Sequence, residues 1–188
     1  MNQEQALSLL KETKLVAILR GIPVKQATDI ATALYDGGVR VLEFTFDHDD
    51  PDCVAHNCQR IRAVKKIFGD EMAVGCGTAL TVQEVEASVE AGGQIVISPN
   101  VDVSVMAKTK GLGAISMPGA LTPTEIVMAY NAGADIVKLF PAGTLGVPYI
   151  KAVRGPLGYI PMSAVGGVRP ETIADFLNVG VCGYGVGG

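Results

Sequence analysis

The stretch Ala73-Val74-Gly75-Cys76-Gly77-Thr78-Ala79-Leu80-Thr81-Val82-Gln83-Glu84-Val85-Glu86-Ala87-Ser88-Val89-Glu90-Ala91-Gly92-Gly93-Gln94-Ile95-Val96-Ile97-Ser98-Pro99 carries one complete structural unit. A short apolar run leads to Thr81, which stands three residues before Glu84 in the pattern of a helix start. Apolar residues at helical spacing follow. Gly92-Gly93 then offers the left-handed residue that turns a helix into the next strand, and a second apolar run begins. The rhythm repeats along the chain. Apolar runs rich in Val and Ile occupy 16–20, 41–46, 73–78, 95–99, 114–118, 136–141, 160–166 and 183–186, eight in all. Amphipathic segments such as 25–35, 82–90, 124–131 and 171–178 lie between them, closed by Gly37-Gly38, Gly92-Gly93, Gly133 and Gly180. Thr122-Pro123-Thr124-Glu125 supplies another capped start with proline in the first turn.

Alternating strand and helix implies a parallel sheet, and eight units favour a closed (β/α)8 TIM barrel over an open doubly wound sheet. The Rossmann alternative lacks its signature: the first run is followed by Gly21-Ile22-Pro23, not by a G-x-G-x-x-G that opens a helix. No linker or composition shift divides the chain, so residues 1–188 read as a single domain. The chain stops on Gly187-Gly188, directly after the eighth run, where a complete barrel places another helix. The final helix is therefore expected to be missing from the chain.

Composition narrows the function classes. Of 188 residues, 48% are hydrophobic and 18% charged, the reverse of a disordered chain. No apolar run approaches the roughly 20 residues of a membrane span and no secretory leader is visible, so no membrane is expected and a cytoplasmic location is. Fifteen basic and nineteen acidic residues give a net charge of −4 without a basic stripe, and Trp is absent, which argues against nucleic acid. Cys53, Cys58, Cys76 and Cys182 form neither a CxxC pair nor a His/Cys cluster, so no disulfide framework and no metal site are indicated. They read as reduced thiols.

A parallel barrel places its active site at the C-terminal strand ends, with alternate residues pointing inward. That rule selects Arg20 at the mouth of the first strand, Glu43 and Thr45 on one face of the second, and Thr78 sharing a face with Val74 and Cys76 on the third. It also selects Ser98 before Pro99-Asn100 on the fourth. Lys138, flanked by Val137 and Leu139, is the strongest clue. Burial disfavours its charge, and a neutral lysine amine forms Schiff bases with carbonyl substrates. Its structural alternative is a lysine whose head meets a carboxylate such as Glu43. A buried Glu–Lys pair is a poor stabiliser, so a general base beside a Schiff-base amine fits better. Arg20 either caps a sheet edge or holds a substrate carboxylate bidentately. Phe140 shapes a cavity or fills core.

The glycines after the last two strands, Gly166-Gly167 and Gly187-Gly188, suit loops that cradle phosphate through backbone N–H groups; the plainer alternative is a tight turn. His48 and His56 read as solvated surface histidines. Asp47, Asp49, Asp50 and Asp52 read as a solvated turn with helix-capping carboxylates, since the pattern of an EF-hand is absent.

Val16-Ala17-Ile18-Leu19-Arg20, Gly38-Val39-Arg40-Val41-Leu42-Glu43, Gly75-Cys76-Gly77-Thr78, Ile97-Ser98-Pro99-Asn100, Met117-Pro118-Gly119 and Val137-Lys138-Leu139-Phe140-Pro141-Ala142 resemble, in order, the KDPG/KHG aldolase family. These are the 2-keto-3-deoxy-6-phosphogluconate and 4-hydroxy-2-oxoglutarate aldolases. The resemblance spans nearly the whole chain. It implies a homotrimeric class I aldolase that needs no metal or other cofactor and acts on a small keto acid phosphate. It places Lys138 on the Schiff-base lysine and Glu43 on the general acid/base. Arg20 and Thr78 fall on substrate carboxylate positions, and Gly166, Gly167, Gly187 and Gly188 on the phosphate loops. Thr45, Ser98, Pro99, Pro118 and Phe140 complete the pocket.

Three positions depart from the family pattern. Ala164-Val165 replaces the Pro-Thr of many members, a form associated with the phosphogalactonate aldolases. Asp47 stands where some members carry a carboxylate-binding arginine, which leaves Arg20 as the anchor. Gly188 replaces a serine, removing a hydroxyl from the phosphate site.

The expected reaction is cleavage of a 2-keto-3-deoxy-6-phospho sugar acid, or of 4-hydroxy-2-oxoglutarate, to pyruvate and glyceraldehyde 3-phosphate or glyoxylate. The alternatives are the 6-phosphogalactonate substrate, a non-covalent sugar-phosphate isomerase or epimerase using Glu43 as base, and a catalytically silent binding barrel.

Overall fold

A computed structural model describes residues 1–187. Among these residues nine parallel strands make one sheet in the order β5-β4-β3-β2-β1-β9-β8-β7-β6. They are β1 (Leu15–Leu19), β2 (Val41–Thr45), β3 (Ala73–Gly77), β4 (Ile95–Ile97), β5 (Ile115–Met117), β6 (Gly119–Ala120), β7 (Val137–Leu139), β8 (Met162–Val165) and β9 (Gly183–Val186). The two edges, β5 and β6, are consecutive pieces of one chain segment joined at Pro118. β5 pairs with β4, β6 pairs with β7, and the Pro118 carbonyl accepts from the Lys138 N–H at 2.9 Å. The sheet therefore closes into a TIM barrel, and eight apolar runs become nine strands because the fifth is interrupted at a residue with no N–H to donate.

Among the described residues eight α-helices accompany it: α1 (Gln3–Thr13), α2 (Ala27–Asp36), α3 (Cys53–Phe68), α4 (Val82–Glu90), α5 (Val103–Gly111), α6 (Pro123–Asn131), α7 (Ala142–Leu157) and α8 (Ile173–Asn178). The helix starts expected at Thr81 and Thr122 are capping boxes closed by Glu84 and Glu125. Gly38, Gly92, Gly133 and Gly180 all turn the chain with φ between 87° and 101°. α7 kinks at Gly146, where φ is 74°, and Pro148 follows in the next turn. No described helix is long and apolar enough to cross a membrane. The four cysteines are free thiols.

Two apolar layers clothe the outside of the barrel. One joins Leu42, Phe44, Val74, Cys76 and Val96 to helices α2 to α4, and the other joins Val137, Leu139, Met162 and Ala164 to helices α6 to α8. A third cluster fills the interior: Val16, Val41, Ala73, Ile95, Ile97, Ile115, Met117, Ile136 and Val165. Ala6 and Leu10 of α1 belong to that interior cluster. α1 is thus a stopper in the N-terminal end of the barrel. Asp135 fastens it, accepting from the Ser116 N–H at 2.8 Å, Lys110 Nζ at 2.6 Å and Gln3 Nε2 at 3.3 Å.

Candidate active site

The opposite, C-terminal end of the barrel is open. A cavity there is walled by Ile18, Arg20, Glu43, Thr78, Lys138, Phe140, Val165, Gly166, Gly167, Val168, Gly185 and Gly187. Every polar side chain in this wall was selected from the sequence. Glu43 and Lys138 project inward from the middle of β2 and β7 because inward and outward residues alternate along each strand. Both are buried. No ion pair joins them within 4.0 Å among the described residues.

Burial dominates the electrostatics of both groups. It pushes the Glu43 carboxyl up to about 7, against the opposing pull of Lys138, Arg20 and the Thr45 hydroxyl. Burial likewise pulls Lys138 below the ordinary lysine range, opposed by Glu43 and reinforced by the positive charge of Arg20. Lys138 Nζ lies 4.7 Å from the centroid of the Phe140 ring. The amine thus lies over an aromatic ring and shares the cavity with Glu43 without an ion pair to it. A buried amine with weakened hold on its proton is suited to nucleophilic attack, and a carboxyl titrating near neutrality is suited to passing protons in both directions.

The third strand corrects one expectation. Val74 and Cys76 point outward into the helix layer, while Ala73, Gly75 and Gly77 occupy the inward register. Strict alternation would send Thr78 outward with Val74 and Cys76. Instead Thr78 adopts φ 56°, a left-handed conformation that a β-branched residue rarely takes, and its side chain lines the cavity. Backbone strain of this kind concentrates at functional sites.

Gly166 and Gly167, with φ of 86° and 72°, carry the chain past Phe140 and Gly143. A Cβ on Gly166 would come within 2.9 Å of the Phe140 ring, and one on Gly143 within 2.6 Å of the Gly167 carbonyl oxygen. Gly187 passes so close to β1 that a Cβ would sit 2.2 Å from the Ile18 carbonyl oxygen. Among the described residues the N–H groups of Gly167 and Val168 have no acceptor.

Four expected pocket residues stand outside this wall. Ser98 donates to the Asn100 carbonyl at 2.8 Å and so fastens its own turn. Pro118 is buried at the β5–β6 junction and Pro99 backs Gly119. Thr45 lies buried beside Glu43. Gly188 lies outside the described residues. Ile18, Val165, Val168 and Gly185 were not singled out from the sequence, because apolar wall residues carry no signal distinguishing them from core.

The two histidines are paired as well as partly exposed: His48 meets Glu84 and His56 meets Asp50, each at 2.7 Å. Asp52 precedes α3, yet its side chain makes no capping bond. Among the described residues no group of three or more metal-ligating side chains is assembled.

With this geometry in view, comparison with known proteins is specific. A family model described as KDPG and KHG aldolase matches residues 7–188. The probable 2-dehydro-3-deoxy-6-phosphogalactonate aldolase of Rhizobium meliloti (strain 1021) is 36% identical over 177 residues, which cover 94% of this chain and 81% of that protein. The 2-dehydro-3-deoxy-6-phosphogalactonate aldolase of Escherichia coli (strain K12) is 35% identical over 174 residues, 92% of this chain and 82% of that one. A solved structure described as native KDPGal superposes with a TM-score of 0.84 at 36% identity, covering 92% of this chain and 82% of its own. The chain belongs to the KDPG and KHG aldolase family and is an aldolase, a carbon–carbon lyase.

Proposed function

We propose that the protein cleaves a 2-keto-3-deoxy-6-phospho sugar acid to pyruvate and glyceraldehyde 3-phosphate through a Schiff base on Lys138, working as a homotrimer. The observation that carries this reading is the buried, unpaired Lys138 amine facing the Glu43 carboxyl across one cavity at the barrel mouth. Neutral Lys138 adds to the C2 ketone, and Glu43 donates the proton with which water leaves, giving an iminium. Glu43, now a carboxylate, takes the proton of the C4 hydroxyl. The C3–C4 bond breaks, the aldehyde departs, and the bonding electrons flow into the iminium to leave an enamine. Glu43 returns the proton to C3, and water hydrolyses the resulting iminium to pyruvate and free amine, the released proton going back to the Glu43 carboxylate. Arg20 and Thr78 hold the carboxylate. Phosphate rests on the unpaired N–H groups of the Gly166-Gly167 loop, with Gly187 lining the same cavity.

The galactonate epimer is the preferred substrate in this reading. Two relatives named for it match the chain over nine-tenths of its length, and the resemblance read from the sequence associates Ala164-Val165 before the paired glycines with that branch. The two sugar acids differ at C4, where the bond breaks, and give the same products.

Borohydride reduction in the presence of pyruvate tests the covalent step. Mass mapping should find the reduced adduct on Lys138, and Lys138→Ala should lose both adduct and cleavage, by about four orders of magnitude or more. Cleavage that survives the substitution, with no trapped adduct, removes the Schiff base and leaves a non-covalent base mechanism. Rates with the two C4 epimers decide the substrate.

A further inference from the structure

Two buried polar atoms beside the cavity have no hydrogen-bond partner among the described residues: Glu43 Oε2 and Thr45 Oγ1. They belong to residues two apart on β2, hence to the same inward face. A buried threonine with a purely structural role ordinarily bonds a nearby backbone carbonyl. Thr109 does so, donating to the Val105 carbonyl at 2.8 Å. Thr45 does not; its hydroxyl is near enough to the Glu43 carboxyl to favour the carboxylate, yet no hydrogen bond is closed between them.

The other side of that carboxyl is equally specific. Gly77 stands on β3 opposite Thr45, and a Cβ there would fall 1.7 Å from Glu43 Oε2 and 2.2 Å from Glu43 Cδ. The volume of a single methyl group at position 77 is thus occupied by the carboxyl of residue 43. Gly77 also immediately precedes Thr78, whose left-handed backbone swings it into the cavity.

We propose that Thr45 and Gly77 are the positioning residues of this site: the glycine leaves the space that seats the Glu43 carboxyl, and the threonine hydroxyl is the hydrogen-bonding group that follows its proton. A hydroxyl can both donate and accept, so a small approach of the two side chains lets it bond either protonation state of the carboxyl. It donates to the carboxylate and accepts from the carboxylic acid. This assignment rests on the reading of Glu43 as the proton-transfer group.

A partial reaction isolates that step. With pyruvate alone, Lys138 forms the iminium as water leaves. Glu43 takes a proton from C3 to give the enamine, and in D2O a deuteron returns to the methyl group before hydrolysis. Proton NMR follows the exchange, and borohydride trapping reports the adduct separately. In Thr45→Val, which keeps the shape and removes the hydroxyl, trapping at long times should match wild type, which also shows the pocket intact. Exchange should fall about tenfold, the cost of losing one hydrogen bond to a charged group. The acidic limb of its pH profile should move upward, because a lost donor leaves the carboxylate less favoured. Thr45→Ser should retain most of the exchange, and Gly77→Ala should lower it while leaving Thr45 untouched. Thr45→Val that traps and exchanges like wild type with an unmoved pH profile overturns the proposal. Wild-type protein that traps pyruvate but does not exchange its methyl protons overturns it too, and protein that neither traps nor exchanges overturns the aldolase reading beneath it.

Discussion

Seating a carboxyl inside an apolar barrel has a consequence for stability that Glu43→Gln exposes. In the folded chain Glu43 titrates near about 7, against 4.5 for an ordinary glutamate. Between those values the folded state holds a proton that the unfolded state has released. Stability therefore falls as pH rises through that window, and the loss is complete above it. About 2.5 units at 1.36 kcal/mol each amounts to about 3 kcal/mol. Glutamine has nearly the same shape and never ionises, so the variant escapes this loss. The attraction between the carboxylate and Lys138 is already contained in the folded value, so about 3 kcal/mol is the whole expected gain.

Urea unfolding followed by far-ultraviolet circular dichroism at pH 4.5, 6 and 8 would measure the difference. Wild type and Glu43→Gln should be nearly equally stable at pH 4.5, and the variant should pull ahead progressively toward pH 8 while losing activity. A stability difference that does not change with pH, or a variant weaker than wild type at pH 8, would refute the placement of Glu43 as a buried, desolvated acid.

Other substitutions probe the frame around the site. Gly167→Val, at φ 72°, should raise KM for phosphorylated substrate and leave rates with the unphosphorylated analogue little changed, as steady-state kinetics would show. Asp135→Ala removes the acceptor of the Ser116 N–H and of Lys110, and should destabilise the fold by about 1–3 kcal/mol in chemical denaturation. Leu10→Ala hollows the stopper where α1 enters the barrel, and should cost about 2–5 kcal/mol in the same measurement with kcat nearly unchanged.

The barrel was legible because its signals are local. Threonine capping boxes, glycine helix stops and Val/Ile runs each report on a few adjacent residues, and their repetition reports the topology. Glu43 and Lys138 were legible for a related reason, since a charged residue inside an apolar strand has few structural explanations. Three features were not. α1 was overlooked because its place is decided by the barrel end it closes, a contact made with strands far along the chain. The register of β3 was obscured at Thr78, where alternation fails because the backbone turns left-handed, and composition does not announce that turn. Gly77 passed as one glycine among 23 because its purpose is the volume of a side chain 34 positions away in sequence. Alternating glycines in Gly75-Cys76-Gly77 on an inward face were the only available hint.

The outer apolar layers divide at Pro118 into one cluster around β2 to β4 and another around β7 to β9. Glu43 stands in the first division and Lys138 in the second. The acid and the amine thus belong to different halves of the molecule, each clamped by its own helices, and their separation is a property of the seam between halves rather than of either one. The inner cluster, with α1 packed into it, draws residues from both halves and is what joins them.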